Sequence, residues 1–444
     1  MLLAACWLSA CASGPARNAL APTTGAPPPA ADALPPAPAA AVTLAADTLT
    51  AVSAEPVLQP ATPHPTLKQR GGEDLRRFAQ TRALAGDDAF RPDALPRGSM
   101  AVHAINVGQG DAFLVEFACG VALIDAGYQN RIVYKQSLID YLTWFFQERR
   151  PDLDNTLNLV VSSHSHNDHA LGFPFVLGKA PAEVALTVEN VVDNAYDVTG
   201  GADKQVLLRE AATQGYHPIR VEQIKWYEGG TSPVIDPIGA CPQEATDPLI
   251  RVLWGGWDEQ GDADPNPNHH SVVVRIDFGQ ASFLFTGDLQ VGETKRKRGG
   301  VDYLLEDYER DLTAFDVDVL KVAHHGASNG TEQTWLEAIR PCIAMLGVGD
   351  PNDKGVGTAH DHGHPRMDTL KLLTSDQLGV SGRRPRVSIP AANAGDAAYE
   401  AMTTNRALFG TGWDGHYVVY GFKDGGYRVS TQHSGLDGHA ITCS

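Results

Sequence analysis

Long apolar runs are absent from this 444-residue sequence, and positive charge is in the minority. Without such a run, no segment is expected to span a bilayer as a helix. Lys and Arg number 35 against 53 Asp and Glu, which gives a formal net charge of −18 at pH 7. Binding phosphate over a broad surface needs a positive field, so extensive contact with nucleic acid is disfavoured, although a local basic groove is still allowed.

The cysteines of the sequence are too widely spaced for a zinc ribbon and stand at Cys6, Cys11, Cys119, Cys241, Cys342 and Cys443. If the first two belong to a signal segment, the other four allow three disulfide pairings in an oxidising compartment. Buried free thiols are the open alternative.

The N-terminal residues differ in kind from the rest of the chain. Residues 1–10 are apolar, and Leu8-Ser9-Ala10-Cys11 resembles the lipobox of bacterial lipoproteins, whose cysteine carries the lipid. The segment departs from that pattern because no Lys or Arg precedes it and its apolar part is short. A chance start rich in Ala and Leu is the alternative. The lipobox interpretation predicts a protein of the cell envelope, in the periplasm or at the outer membrane, anchored through Cys11.

The predicted domain organisation follows from composition. A signal segment over residues 1–11 is followed by residues 12–97, which are rich in Ala, Pro and Thr and then in charge. Proline-rich stretches favour extended conformations, so this region is expected to be a tether and lead-in. Residues 98–444 are predicted to form the folded domain.

Side chains of metal-binding types are densest after the apolar run at residues 157–161. The sequence there reads Ser163-His164-Ser165-His166-Asn167-Asp168-His169. Imidazoles two positions apart at a strand end point to the same side, and the following Asp-His pair can reach a second point once the chain turns. Imidazoles and a carboxylate suit zinc, manganese or iron. A solvated polar turn is the alternative.

Predicted strands alternate with predicted helices in two blocks of similar order, which indicates two sheets lying between helical layers. The principal strands are expected at residues 101–107, 112–117, 121–124, 157–162, 272–277, 282–285, 317–322 and 342–347. Amphipathic helices are expected at residues 132–149 and 331–340, where apolar residues recur with helical spacing.

The histidine cluster resembles the His-x-His-x-Asp-His signature of metallo-β-lactamase-fold hydrolases, and further stretches resemble the soluble hydrolase domain of ComEC-type competence proteins. These stretches occur in the family's order: Asn106-Val107-Gly108-Gln109-Gly110-Asp111-Ala112, Leu123-Ile124-Asp125-Ala126-Gly127, Phe283-Leu284-Phe285-Thr286-Gly287-Asp288, Leu320-Lys321-Val322-Ala323-His324-His325-Gly326 and Gly363-His364-Pro365. The resemblance implies an α/β fold, the αββα metallo-β-lactamase sandwich of two mixed β-sheets flanked by helices.

The resemblance further implies a site for two divalent metal ions, with zinc expected and manganese as the alternative. One pair of histidines would bind the first metal, the Asp-His pair the second, and Asp288 would bridge both because a carboxylate has two oxygens. Asp125 would orient the ligand loop rather than bind metal. The expected metal ligands are His164, His166, Asp168, His169, His269, Asp288 and His325.

Two of these assignments have alternatives. The family expects a further histidine on the first metal just before the strand pair that ends at Asp288. His269 and His270 both stand there, and His269 is favoured, although many ComEC-type domains have Asn at this place and neither histidine need be a ligand. In the next pair, His325 is favoured because it directly precedes a small turn residue, which leaves His324 facing the cleft.

His324 and His364 are the expected catalytic residues. The resemblance places the Gly-His-Pro histidine near the active site, where His364 could contact the scissile group or protonate a leaving oxygen. His360 and His362 in the same loop are interpreted as solvated. The run Lys295-Arg296-Lys297-Arg298 could steer a phosphate-bearing substrate, and a solvated loop is the preferred interpretation.

The predicted function is therefore a metal-dependent hydrolase. The favoured kind is a dinuclear phosphodiesterase or nuclease-like enzyme whose nucleophile is a metal-bridging hydroxide. Its substrate would be a phosphodiester-bearing small molecule, polymer or nucleic acid. No obligate protein partner is evident, and contact with a membrane is expected only through a lipid anchor. An amide or lactone hydrolase of the β-lactam type, and a non-catalytic binding module on the same fold, are the alternatives.

Overall fold

Apolar strands that are buried on both faces form the framework of the protein. The structure is a computed structural model that describes residues 90–179, 185–219, 231–242, 244, 246–256, 266–293, 298–393 and 398–443. The predicted signal segment, Cys11 and most of the predicted tether lie outside these residues. So do Lys295, Arg296 and Lys297 of the basic run.

The first sheet has nine strands among the described residues. In chain order they are β1 (Ser99–Ala104), β2 (Phe113–Phe117), β3 (Gly120–Ile124), β4 (Thr156–Ser162), β5 (Thr187–Asp193), β6 (Ala212–Pro218), β15 (Tyr417–Phe422), β16 (Tyr427–Thr431) and β17 (His439–Ile441). Their spatial order is β17-β16-β15-β1-β2-β3-β4-β5-β6. The strands from β3 to β6 run parallel, whereas the pairs from β17 to β3 are antiparallel.

The second sheet has six strands in the part of the chain that the structure describes. They are β7 (Pro248–Trp254), β8 (Val273–Phe278), β9 (Ala281–Phe285), β10 (Val319–Lys321), β11 (Ile343–Leu346) and β14 (Leu408–Gly410). Their spatial order is β14-β11-β10-β9-β8-β7. The strands β9, β10, β11 and β14 are parallel. A separate hairpin pairs β12 (Arg383–Ala392) with β13 (Tyr399–Arg406).

Helices cover the outer faces of the two sheets. The longer ones are Ile132–Trp144, Ala202–Ala211, Gly300–Asp307, Gln333–Ile339 and Met367–Thr374. The shorter ones are Asn167–Ala170, Phe173–Val176, Ala359–His362 and Thr411–Asp414. The predicted helix over residues 132–149 ends its α-helical part at Trp144 and continues as a π-helical turn, Phe145–Arg149.

The alternation of side chains along each strand builds two cores. In β3, Ala122 and Ile124 face the second sheet and join the core between the sheets, while Val121 and Leu123 face the helix Ile132–Trp144. Because both faces are buried, the strand is apolar throughout rather than alternating with polar residues. These layers confirm the predicted αββα sandwich of two mixed sheets flanked by helices.

Two disulfides pair the four cysteines of the domain, Cys119 with Cys241 and Cys342 with Cys443. This selects one of the three pairings that the sequence allowed. The described end of the predicted lead-in, residues 90–97, lies against the first sheet, where the ring of Phe90 stacks on His416 at 6.4 Å. Among the described residues, no helix has both the length and the apolar character needed to cross a bilayer.

Candidate metal centre

The parallel strands of both sheets deliver the candidate site residues at one edge of the sandwich. Asp125 follows β3, His164 follows β4 and Asp288 follows β9, each within three residues of the strand end. His325 follows β10 after a short turn. The C-terminal ends of parallel strands meet at one edge, so residues from distant parts of the chain converge there.

Four buried side chains form a compact cluster at this edge: Asp111, His169, Asp288 and His325. Each offers a ligand atom, and these atoms all lie within 4.8 Å of one another. The Nε2 atom of His169 is 3.2 Å from Asp288 Oδ1, and the Nε2 atom of His325 is 3.4 Å from Asp288 Oδ2. His325 Nε2 is also 3.3 Å from Asp168 Oδ2. The two imidazoles and two of the carboxylates, Asp168 and Asp288, therefore converge on one point.

His164 and His166 form a second pair beside this cluster. The Nε2 atom of His164 is 2.9 Å from the Nδ1 atom of His166, so both rings present nitrogen atoms to the same small volume. The ring of His164 is also 4.2 Å from the ring of His169. The predicted first and second ligand groups thus lie side by side, as their alternating positions after β4 indicate.

Asp125 orients the loop that carries these histidines. Its carboxylate accepts hydrogen bonds of 2.7 Å from the backbone N–H and from the hydroxyl of Ser163. It also accepts a 2.8 Å hydrogen bond from Nδ1 of His169, which leaves Nε2 of that ring pointing at Asp288. Fixing the far nitrogen of a histidine in this way is how neighbouring groups orient metal ligands.

Glycines allow the ligand loops to pack this closely. A Cβ atom on Gly127 would lie 1.6 Å from the carbonyl oxygen of Asp168, and one on Gly110 would lie 2.7 Å from the same oxygen. A Cβ atom on Gly347 would lie 2.1 Å from Asp111 Oδ1. Gly127 and Gly110 belong to the stretches that resemble ComEC-type domains, and their small size has a direct steric reason here.

The turn after β10 places His325 in the cluster and His324 at its border. Both residues adopt positive φ, 49° for His324 and 52° for His325, a strained conformation for residues other than glycine. Nδ1 of His325 donates a 2.5 Å hydrogen bond to the carbonyl of Gly347, which directs Nε2 towards Asp288. His324 Nε2 is 4.0 Å from Asp288 Oδ2.

The turn before β8 brings Asn268 next to His166 of the first histidine pair. This turn, Pro267–His270, buries the side chain of Asn268, which opposes the effect of burial on the pKa of His166. His269 lies 3.5 Å from the side-chain amide of Asn266, and Nδ1 of His270 donates to the carbonyl of Gly256 at 2.6 Å. The role of His269 as a metal ligand stays a prediction, and Asn268 was not among the predicted site residues.

His364 lies over the cluster, with its ring 5.3 Å from that of His324 and 6.2 Å from that of His325. The side-chain amide of Gln109 donates a 3.2 Å hydrogen bond to His364 Nδ1, while its oxygen accepts from the backbone N–H of Gly349. His364 therefore carries its proton on Nε2. His362 is exposed in the short helix Ala359–His362, and Arg298 pairs with Glu306 at 2.5 Å.

Sequence reasoning also missed two charged residues of this site: Asp111, which belongs to the cluster, and Lys321, which is paired with it. The Lys321 ammonium forms an ion pair with Asp111 Oδ2, lies 3.8 Å from Asp288 Oδ1 and donates a 2.8 Å hydrogen bond to the carbonyl of Gly287. Both residues stand within the stretches that resemble ComEC-type domains. That position was the one signal that could have identified them.

The carboxylates divide the histidines into two electrostatic classes. Burial opposes the charge on His169, but Asp288 and Asp125 outweigh it and raise the pKa of His169 to about 10. His325 behaves alike, since Asp288 and Asp111 overcome burial and raise its pKa well above the usual value. Burial, aided by the neighbouring histidines, lowers the pKa of His164 well below its usual value. Neutral imidazole is the form that binds metal. A metal would therefore displace protons from His169 and His325, whereas it would bind His164 directly.

The residues fit a divalent metal ion. Buried atoms without a hydrogen-bond partner include His169 Nε2, His325 Nε2 and Asp288 Oδ1. Leaving such atoms unsatisfied is costly, and these three face one another across the cluster. A nitrogen and oxygen donor set of this kind suits zinc or manganese. The fold and the buried His/Asp cluster thus indicate divalent metal binding.

Comparison with known proteins identifies the family of the chain. The family model of the Metallo-beta-lactamase superfamily matches residues 105–350. Competence protein ComA of Neisseria gonorrhoeae is 27% identical over 304 residues, which are 67% of this chain and 34% of that protein. ComE operon protein 3 of Bacillus subtilis (strain 168) is 24% identical over 298 residues, which are 63% of this chain and 31% of that protein. The chain thus spans about a third of the length of these relatives.

Among solved structures, the metallo-beta-lactamase fold protein YhfI from Bacillus subtilis is similar at 13% identity with a TM-score of 0.30. The match covers 56% of this chain and 85% of that protein. The family match spans more than half of the chain. The chain belongs to the metallo-beta-lactamase superfamily of hydrolases and is related within it to the ComEC-type competence proteins.

Proposed function

We propose that this chain is a phosphodiesterase that depends on two divalent metal ions and acts on a small molecule, a polymer or a nucleic acid. The observation that supports it most is the charge balance of the metal centre. Four carboxylates contact the histidines of the cluster: Asp111, Asp125, Asp168 and Asp288. The charge of Asp111 is already balanced by its ion pair with Lys321.

That balance favours an anionic substrate. Two divalent cations carry more positive charge than the three remaining carboxylates carry negative charge, so the loaded site would be net positive. One cation alone would leave it net negative. A phosphodiester brings one negative charge and gains more during hydrolysis, and a positive, partly buried site stabilises it strongly. A neutral amide carries no charge before it reacts, so the positive charge of the site would stabilise its binding less.

The residues of the chain would divide the work as follows. His169, His325, Asp168 and Asp288 would hold the second metal, and His164, His166 and Asp288 the first. Divalent ions held there would lower the pKa of a water molecule and neutralise the negative charge that develops on the phosphoryl oxygens. Asp125 and the carbonyl of Gly347 keep Nδ1 of His169 and His325 engaged, so both rings present Nε2 to the metal.

His364 would serve as a hydrogen-bond donor to the substrate. Gln109 occupies its Nδ1, so the Nε2–H group is free to point at a phosphoryl or leaving-group oxygen. Burial and the nearby histidines lower the pKa of His364 well below its usual value. The ring is therefore neutral near pH 7, and donation of a hydrogen bond replaces the proton transfer that the sequence suggested. His324 would contact the same substrate from the border of the cluster.

The test is metal analysis of the purified chain followed by a substrate panel of bis(p-nitrophenyl) phosphate, a phosphorylcholine ester, single-stranded DNA and nitrocefin. We expect about two transition-metal ions per chain and phosphodiester turnover. His164→Ala and Asp288→Ala should reduce that turnover at least about a hundredfold, because each removes a direct metal ligand.

His439→Ala is the matched control, because it removes a histidine of β17, at the outer edge of the first sheet. It should keep wild-type turnover and metal content. A protein that binds no metal, or that turns over nitrocefin but no phosphodiester, would contradict the proposal.

A location in an oxidising part of the cell envelope is part of the same proposal. The disulfides Cys119–Cys241 and Cys342–Cys443 support it, because such bonds persist in oxidising compartments. Anchoring through Cys11 would add a lipid to that location. Labelled palmitate that is still incorporated after Cys11→Ala would rule out this anchor.

A further inference from the structure

Lys321 is a fully buried cation at the end of β10, in a position where an apolar strand residue is expected. Its side chain is 2% exposed, and that of Asp111 is 1% exposed. The ammonium contacts three groups: the Asp111 carboxylate, the carbonyl of Gly287 and, at 3.8 Å, the Asp288 carboxylate. Two of these groups belong to the loop that carries Asp288, and the third belongs to a loop of the other sheet.

Asp111 in turn is connected to the loop that carries Asp168 and His169. Its backbone N–H donates a 2.9 Å hydrogen bond to the carbonyl of Asp168, and its own carbonyl accepts one of 2.8 Å from Gly127. Gly347, whose carbonyl accepts from His325, packs directly against the Asp111 carboxylate. Lys321 and Asp111 together therefore connect the three loops that carry Asp168, Asp288 and His325.

The carboxylate of Asp111 lies within the same cluster, but it approaches the two histidines from a different side than Asp288 does. Asp111 approaches the Nδ1 side of both imidazoles, at 3.7 Å from His169 and 3.4 Å from His325. The Nε2 atoms, which face Asp288, are on the other side of each ring. With Lys321 neutralising it, Asp111 is placed behind the ligands rather than among them.

We propose that Lys321 and Asp111 are positioning residues: a buried ion pair that holds the Asp288 loop and the Asp168–His169 loop at the separation a metal requires. This inference rests on the proposed metal-dependent function. The pair fixes the distance between Asp168, on a loop of the first sheet, and Asp288, on a loop of the second. The charge of Asp111 is balanced by Lys321 rather than by a metal.

The test measures the Mn²⁺ dissociation constant and the urea unfolding of chelator-stripped protein, with Mn²⁺ alone as the probe. Lys321→Met and Asp111→Asn should each weaken Mn²⁺ binding by about ten- to a hundredfold, the usual effect of removing a group that orients metal ligands. Both should also lower stability, because each leaves one buried charge unpaired.

The double variant Asp111→Asn/Lys321→Met separates positioning from simple stabilisation. It removes both buried charges, so its midpoint of urea unfolding should recover to near the wild-type value. Its Mn²⁺ affinity should stay at least about tenfold weaker than wild type, because the link between the loops is still missing. If affinity recovers together with stability, the pair is only structural and the inference is overturned.

Glu116→Gln is the matched control within the chain. Glu116 is a buried carboxylate paired with Arg149 and Arg150 near the other end of β2. This variant should lose stability and keep Mn²⁺ affinity within about twofold of wild type. Single variants at Lys321 and Asp111 that also stay within about twofold would overturn this inference alone. Wild-type protein that binds no Mn²⁺ would overturn the proposed function and this inference with it.

Discussion

The two ends of strand β2 carry buried polar groups of similar composition that use their atoms differently. Near its C-terminal end, the carboxylate of Glu116 accepts hydrogen bonds from Arg149 and Arg150 and lies 3.1 Å from Nε2 of His103. Nδ1 of His103 is engaged by the hydroxyl of Tyr141 at 2.9 Å. The carboxylate and imidazole of this Glu116 cluster are satisfied within the protein.

At the N-terminal end of β2, Asp111 leads into the metal centre, where satisfaction is incomplete. His169 Nε2, His325 Nε2 and Asp288 Oδ1 are buried without a hydrogen-bond partner. The backbone is also strained here, since Asp125 and His325 adopt positive φ. Such strain persists only where surrounding structure imposes it, and it concentrates at functional sites.

Burial and charge alone therefore do not mark a functional site. Both ends of β2 bury histidine, carboxylate and a basic side chain. The Glu116 cluster is complete, so it serves the stability of the fold. The metal centre has buried donor atoms that face one another without hydrogen-bond partners, so they are arranged to bind a cation.

The largest contrast is expected from adding a methyl group inside a ligand loop and adding one outside the metal centre. In Gly127→Ala the new Cβ would overlap the carbonyl of Asp168 at 1.6 Å, so a ligand loop must move. We expect loss of metal binding and about 3 kcal/mol of unfolding free energy, the upper range for overpacking. Gly239→Ala, two residues before the disulfide at Cys241, meets nothing within 4 Å and should change neither. Equal effects of the two substitutions on metal content would remove the contrast.

An effect on stability alone, which depends on pH, is expected at the Glu116 cluster. Burial opposes ionisation of Glu116, but His103 and Arg149 outweigh it and lower its pKa from 4.5 to about 2. The carboxylate therefore stabilises the fold fully above pH 4.5, and this contribution is lost as the pH falls towards 2. At about 1.4 kcal/mol per pKa unit, it amounts to about 3 kcal/mol.

Urea unfolding of metal-free wild type and Glu116→Gln from pH 7 to pH 2 measures this contribution. The difference in unfolding free energy should stay constant down to about pH 5 and close towards pH 2. A difference that does not change with pH would mean that Glu116 is not held ionised by its partners.

Much of the architecture could be predicted from the chain, because its signals are local. The apolar run before Ser163 and the one before Asp288 each mark a buried strand with polar residues at its end. The family resemblance then gives the αββα sandwich. The metal-ligand roles of the individual residues stay predictions, although the structure places most of the proposed ligands together.

The remaining features depend on contacts between distant residues. A lysine at the end of an apolar strand, such as Lys321, is usually solvated there, and only its approach to Asp111 from the other sheet explains its burial. The backbone of the turn Pro267–His270 places Asn268 next to His166, and the sequence alone does not specify the conformation of that turn. The cysteine pairing depends on which loops the sheets bring together, as at Cys119 and Cys241.

The most direct test of the central claim is a crystal structure of the Mn²⁺-loaded protein with anomalous scattering recorded from the metal. The account predicts two anomalous peaks about 3.5–4 Å apart, the separation typical of two-metal hydrolytic sites. One should be bound by Asp168, His169 and His325, the other by His164 and His166, with Asp288 touching both. A single peak, or a peak coordinated by Asp111 in place of Asp288, would contradict it.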